Sequence, residues 1–371
     1  MLSVDRTTLR LDVEVAIEAD FDFLSHEYRA FYGPTRATAF QAPLWMDMVH
    51  RRLASGLGAS QHTLTIRNRG DGALVALAPF VLQRSMGIAI LQPADFGVCD
   101  YNCVVADDNA LSLIAADVNV TGRIAALTKA CDLLMFRKVR EDGFDVSRLF
   151  PDARSSPSEN AAYHSVIGDD LEEWRNRTVR KKFSKELARL QRQTEREFGG
   201  YEHRPAGNAE EIAAAFDFLR GTRQGRFDGD LLDRQIYFDF YRDYAVAAHA
   251  AGEAITYVSY IAGQPVAVLF GLQGDGQFHA VLIASDTERF ARSSPGIQII
   301  YQTIKLRFAQ GFQSFDMGLG NTGYKSHFRV EKTGLRNHTS ARSIAGSAVA
   351  LVYHRAKPLK NFLKKYASDI R

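Results

Sequence analysis

The 371-residue sequence has few cysteines and no long apolar runs. Its three cysteines are Cys99, Cys103 and Cys131. An odd, sparse set is no disulfide framework. No histidine or second cysteine pair flanks Cys99 and Cys103 at zinc spacing, so they read as buried, idle thiols. No stretch reaches the ~18 uninterrupted apolar residues of a membrane helix. Met1 to Asp20 alternates acidic and apolar residues without the basic start and apolar core of a signal peptide, which makes the cytoplasm the expected location. Gly-x-Ser-x-Gly, His-Glu-x-x-His and Cys/His ligand sets are also missing. That speaks against hydrolase and metalloenzyme chemistry, and no metal is expected.

What is present is the composition of an ordinary globular chain, 46% apolar and 24% charged. Its length fits two domains. The net charge is only +3 but uneven. Arg175 to Arg192 holds eight basic residues against Glu186 alone, a local +7. Tyr353 to Arg371 holds six against Asp369, a local +5. Such patches point to anionic partners at defined places rather than to general nucleic-acid binding.

The pattern predicts a strand over Leu9–Ile17, helices near Asp20–Tyr32 and Pro43–Ala54, and a hairpin of residues 64–67 and 74–82 around a Gly-rich turn. A helix through Ile124–Ala130 and a strand over Asp132–Val139 follow. The second half repeats this plan. Strands are predicted at Tyr257–Ile261, Val266–Leu272 and Gln277–Ser285, a helix at Ile297–Gln310 and a strand at Phe312–Met317. A strand over His338–Ile344 and a helix over Ser347–Ser368 close the chain. Hairpin, helix and short strand in both halves read as an internal duplication of one α/β unit with mixed, largely antiparallel sheets. The Pro/Ser-rich stretch 151–160 is the best linker, which gives domains of 1–155 and 156–371. One long helix, 171–198, is predicted next, stopped by Gly199 and Gly200. It places Val179, Phe183, Leu187 and Leu190 on one face and Lys181, Lys185, Arg189 and Arg192 on the other.

The loop Arg292-Ser293-Ser294-Pro295-Gly296 opens onto the helix from Ile297. A helix start has unpaired N–H groups and a partial positive charge, and so suits a phosphate. Ser293, Ser294, Gly296 and Ile297 are therefore the candidate carrier site, with Lys181 and Lys185 as further cationic contacts. The same residues would also serve a plain helix start. A carboxylate or histidine at a strand end beside such a site is a candidate acid or base. Asp316 ends the strand after this helix and Asp286 begins the loop before it. Either can be the base, although Asp-x-Gly is also a turn signal. His279 shares an alternation face with Val281 and Ile283, the pattern of a core residue as much as of a base. After the loop Gly318-Leu319-Gly320-Asn321-Thr322-Gly323, Tyr324 could donate a proton and Lys325 could pair with substrate or carrier phosphate.

Several short motifs in order resemble the cellulose-biosynthesis (CelD/BcsL-like) acetyltransferase family of the GNAT superfamily. They are Phe40-Gln41-Ala42-Pro43-Leu44-Trp45, Leu77-Ala78-Pro79-Phe80, Asp95-Phe96-Gly97 with Asp100-Tyr101, and Arg180-Lys181-Lys182. Further along come Phe218-Leu219 with Arg223, then Asp286, Ser294-Pro295-Gly296, Phe315-Asp316 with Gly318, and Tyr324-Lys325. The resemblance implies two tandem GNAT-like units, as in the related Fem-type aminoacyltransferases. It also implies acyl transfer from acetyl-CoA or another acyl-CoA to an amine or hydroxyl, with Arg223 and Lys325 as substrate contacts. The usual GNAT loop, Gln/Arg-x-x-Gly-x-Gly/Ala, is absent, and Ser-Pro-Gly stands in its place.

The expected function is acyl-CoA-dependent transfer to a sugar or related small acceptor in surface polysaccharide metabolism. Alternatives are a Fem-like enzyme using charged tRNA and a non-catalytic scaffold for polysaccharide-synthase machinery. No basic strand interleaved with aromatics favours the tRNA reading. The C-terminal segment 358–366, with Leu359, Phe362, Leu363 and Tyr366 beside three lysines, is expected to pack on its own domain or to touch a membrane surface.

Overall fold

The computed structural model describes residues 11–353 apart from 86, 227–228, 275, 321–322 and 329. The strands are β1 (Val13–Glu18), β2 (Ala59–Gln61), β3 (Thr63–Asn68), β4 (Leu74–Ala78), β5 (Phe80–Ser85), β6 (Ile88–Pro93), β7 (Val105–Ala106), β8 (Leu133–Arg140), β9 (Arg154–Val166), β10 (Tyr201–Pro205), β11 (Ala254–Ile261), β12 (Gln264–Gly274), β13 (Gln277–Ser285), β14 (Ser314–Leu319) and β15 (Glu331–Ala341). The helices are α1 (His26–Tyr32), α2 (Pro43–Met48), α3 (Asp108–Ala116), α4 (Val118–Leu127), α5 (Leu171–Thr178), α6 (Lys181–Phe198), α7 (Ala209–Arg223), α8 (Gln235–Ala251) and α9 (Pro295–Ala309). The chain divides after Ser158 and again before Leu335: Glu159–Gly334 is one compact unit, and the flanking segments form the other.

The first unit holds a four-stranded sheet, β1-β3-β4-β7, and the strand order β15-β8-β6-β5-β2. Its core includes Phe80, Phe136 and Phe150, which meet edge to face or tilted, with Ile114 and Ile124 from α3 and α4. The second unit has the order β10-β11-β12-β13-β14-β9. There α9 lays Ile299, Ile300 and Ile304 against Leu269, Phe278 and Phe315. The duplication is visible in the connections. β6 pairs parallel with β8, Ile90 opposite Leu133, across α3 and α4. β13 pairs parallel with β14, Gln277 opposite Ser314, across α9. Parallel neighbours need such a crossover, and every other pairing resolved in the two units is antiparallel. The fold is thus two tandem α/β units with mixed, largely antiparallel sheets.

Several local expectations differ from the structure. The Pro/Ser-rich stretch contains the division after Ser158 but is largely strand rather than loop: β9 runs from Arg154 to Val166. Its ladder with β14 covers only residues 162–166, so Pro157 removes no bond from it. The long helix is two helices, because Val179 and Arg180 are extended (ψ 126 and 128). Thr178 and Val179, both β-branched and buried, favour that break. Gly199, at φ 79, caps α6 as expected and donates to Glu195 O. In place of a helix over 20–32, α1 begins only after Ser25, whose hydroxyl caps it, and Phe21 and Phe23 are buried beside Tyr28. α2 runs on into a π-helical turn, Val49–Ala54. Most of the predicted C-terminal helix, with the basic tail, lies outside the described residues. Among the described residues, no single helix is long and apolar enough to cross a membrane.

Candidate functional site

The loop after β13 delivers the chain to α9 through a strained residue. Ser294 has φ 47 and ψ 52, the left-handed region, immediately before Pro295. Its carbonyl accepts from Ile297 N and Gln298 N, both at 3.1 Å. Pro295 has no N–H, so the Gly296 N–H is the free donor at the helix start among the described residues. Gly296 sits hard against β13. A Cβ there would lie 2.7 Å from Ser285 Oγ and 3.3 Å from Ser285 Cβ. The glycine is thus set by close approach, not by backbone angle.

A cavity of about 430 Å³ opens beside this start. Ser294, Gly296, Ile297, Tyr324 and Arg223 all line it, with Arg226, Ile283, Ser285 and Thr287. Five of the residues picked from sequence therefore meet in one place. Arg223, at the end of α7, donates from Nε to Asp230 Oδ2 at 2.7 Å and from Nη1 to Ile283 O at 2.8 Å. Arg226 donates to Ser285 O at 3.0 Å and Thr287 Oγ1 at 3.1 Å. Two guanidinium groups and a helix N-terminus thus face one cavity, an arrangement suited to an anion. Sequence reasoning missed Arg226. Its one local signal is Gly225, left-handed at φ 74, which turns the chain after α7.

β13 and β14 are paired only over 277–279 and 314–316, although β13 continues to Ser285. His279 and Asp316 are the last partners before the strands part. Their side chains are buried, with His279 Nδ1 3.6 Å from Asp316 Oδ2. Asp316 Oδ1 also accepts from Gly318 N at 2.6 Å, the expected Asp-x-Gly turn. A bulge corrects the face of His279. Phe270 faces Leu282 but Gly271 faces Ala280, so Val281 is extra. Ile283 then packs toward α9, opposite Leu269, while His279 points to the other side of the sheet with Leu272.

The remaining candidates lie elsewhere. Asp286 caps its own turn, accepting from Glu288 N and Arg289 N and pairing with Arg289 Nε at 2.5 Å. Burial opposes its ionisation, but these Arg289 bonds prevail and hold its pKa below the usual carboxylate value. Ser293 is buried, with its hydroxyl 2.8 Å from Thr194 Oγ1 on α6. Lys325 is buried and donates to Gly318 O at 3.0 Å and Leu319 O at 2.9 Å, over the ring of Tyr163. Lys181 and Lys185 are exposed. The opposite face of α6 carries Leu187, whose carbonyl accepts from Gln298 Nε2 of α9. Cys99 and Cys131 are buried and Cys103 half-buried, all free thiols. Among the described residues, no group of three or more His, Cys, Asp or Glu could hold a metal.

Residues 181–326 match the acetyltransferase (GNAT) domain family. The second unit therefore carries a GNAT-type acyltransferase domain, the domain of a transferase. No curated protein sequence matches the chain. Among solved structures, FemX is similar at 12% identity over 87% of this chain and 96% of that one, with a TM-score of 0.60. A conserved protein of unknown function from Bacteroides thetaiotaomicron is 10% identical over 88% and 100%, TM-score 0.56. L-PGS from Bacillus licheniformis is 14% identical over 80% and 88%, TM-score 0.50. At these identities the likeness is one of fold.

Proposed function

We propose that the second unit transfers an acyl group from acyl-CoA, with acetyl-CoA the simplest donor, to an amine or hydroxyl of a sugar or related small acceptor. Surface polysaccharide metabolism is the setting we favour. The observation that supports this most is the cavity that joins the α9 start to Arg223 and Arg226. In this reading the Gly296 N–H, the helix dipole and Arg226 receive a phosphate of the carrier. Ile283, Ala284, Ala291 and Ile297 line the apolar wall for its arm. Asp316, braced by His279 where the strands part, takes the acceptor proton. Tyr324, in the cavity wall, is the available proton donor to the leaving thiolate.

Thermal unfolding with and without acetyl-CoA tests the reading. Donor at 100 times its dissociation constant should add about 2.7 kcal/mol of stability. At about 2–4 °C per kcal/mol for a unit of this size, the midpoint should rise by roughly 5–10 °C. No rise with acetyl-CoA, together with steep salt-dependent binding of RNA, would reject acyl-CoA in favour of a charged-tRNA donor. No binding of either would leave a scaffold.

A further inference from the structure

After β15 the first unit continues into a short apolar helix, Ile344–Tyr353. Its seat is fixed at the N-terminal end. The Ser343 hydroxyl accepts from Gly346 N at 3.0 Å, and the Ser343 carbonyl accepts from Ser347 N at 2.9 Å. Gly346 is buried against the residue before β8: a Cβ there would overlap the Asp132 carbonyl. Only glycine lets the helix lie this close. At 100° per residue, Gly346 and Tyr353 share the inner side. The outer side holds Ile344, Ala345, Ser347, Ala348, Leu351 and Val352, and all six are exposed. Ile344 is 92% exposed, Leu351 50% and Val352 62%. A surface helix ordinarily turns charge to water and its apolar stripe to the core. This helix has no charged residue between 344 and 353 and turns its large apolar side chains outward.

We propose that this helix docks on an anionic lipid bilayer, apolar face down, and that the basic residues following it hold it to the headgroups. A helix that crosses a bilayer needs about 20 apolar residues. This one is about 15 Å long at 1.5 Å per residue, so it lies in the interface. Apolar contact of that size binds a membrane weakly and reversibly, and stable attachment takes a second signal such as a polybasic patch. The sequence supplies one at once: Arg355, Lys357, Lys360, Lys364 and Lys365 follow, and Asp369 is the one acidic residue from 354 to 371. Clusters of this kind beside an apolar helix suit anionic lipid. A nucleic acid would take the charge but not the apolar face. A second copy of the chain fits less well. One side of so short a helix is far smaller than the ~800 Å² per partner of a stable interface. Pairing would also bring two like-charged segments together.

Co-sedimentation of the full chain with vesicles tests the docking. Vesicles of equal parts phosphatidylcholine and phosphatidylglycerol should carry the protein down at low salt, and phosphatidylcholine alone should not. Each lysine near an anionic surface is worth roughly fivefold in affinity. Lys360→Gln with Lys364→Gln and Lys365→Gln should therefore weaken binding on the order of 100-fold. Ile344→Ser with Leu351→Ser and Val352→Ser should weaken it at least about tenfold, since three apolar side chains no longer leave water. The melting midpoint of that serine variant should hardly move, because these side chains already face solvent. No binding to the mixed vesicles overturns the proposal, as does equal binding to phosphatidylcholine alone. Undiminished binding of the serine variant removes the helix from the contact. A midpoint lowered by many degrees would show that the chain itself covers the face. A dimer that the serine variant abolishes, with vesicles ignored, would assign the face to a second copy. The lysine variant leaves the helix intact and decides the charge dependence even if the serine variant does not fold.

Discussion

Gly296 offers the sharpest test of the carrier site. A Cβ at this position lies 2.7 Å from Ser285 Oγ and 3.3 Å from Ser285 Cβ. Ordinary contact begins near 3.4 Å, so the first turn of α9 must shift away from β13 by several tenths of an ångström or the serine must rotate. Rotation moves Oγ but leaves the tight Cβ contact. Overpacking of this kind costs about 1–3 kcal/mol. The shift also moves the Gly296 N–H relative to Arg226, which is held by Ser285 O and Thr287. Since each 1.4 kcal/mol is tenfold in affinity, Gly296→Ala should weaken acetyl-CoA binding by about 5- to 100-fold. Its melting midpoint should fall by only a few degrees. The contact atoms are Ser285's own, so Ser285→Gly should reverse the effect. In calorimetric titration the double variant should bind within a few-fold of wild type, a coupling typical of touching residues. Wild-type affinity in Gly296→Ala would refute the reasoning, as would a double variant no better than the single.

Other outcomes follow from the same geometry. Asp316→Asn should cut turnover by roughly 10²–10⁴-fold with donor affinity retained, if the carboxylate is the base; near-wild-type turnover would leave it a turn cap, since Asn serves that turn equally. Arg226→Gln should weaken donor binding and flatten its salt dependence, read from dissociation constants at low and high ionic strength; an unchanged salt slope counts against the anion site. Lys181→Glu with Lys185→Glu should leave the acetyl-CoA dissociation constant within about twofold, because both side chains lie on the exposed face of α6. Burial lowers the pKa of His50 and of His203 from 6.5 to about 4, with a small push from Lys305 on His203. The folded state then binds fewer protons than the unfolded one between pH 6.5 and 4, so stability present above pH 6.5 is lost on acidification through that window. The loss should be on the order of 3 kcal/mol per group. Urea midpoints against pH should show it, with a shallower fall in His50→Phe.

From β11 to β14 the plan of the second unit was legible because its signals are local, whereas β10, α7 and α8 were not predicted. Alternation marks β11, β12 and β13, the turn Ala262-Gly263 leads into β12, and Ser294-Pro295-Gly296 marks the helix start. What sequence could not show depends on partners far along the chain. β9 reads as linker because its Ser/Pro composition carries no period, and it becomes a strand through pairing with β14, some 150 residues later. That His164 lies opposite Asp316 shows only once that register is known. The break at Val179 and Arg180 hides inside an otherwise good helical pattern, where burial of Val179 decides the outcome. The extra residue in β13 reverses the face of His279, and no composition rule announces such a bulge. Arg226 meets the cavity only through the turn after α7.

The parting of β13 from β14 has a consequence for handling the protein as well as for chemistry. Beyond His279 the strand runs six residues without its parallel neighbour. Bare strand edges recruit other chains, and natural sheets blunt them with charge. Ile283 O and Ser285 O, in that stretch, accept from Arg223 and Arg226. Charged side chains thus occupy backbone acceptors that an intruding strand would seek. Removing both arginines should therefore show first as association of molecules during concentration or storage, seen by light scattering, even in preparations whose unfolding midpoint is little altered.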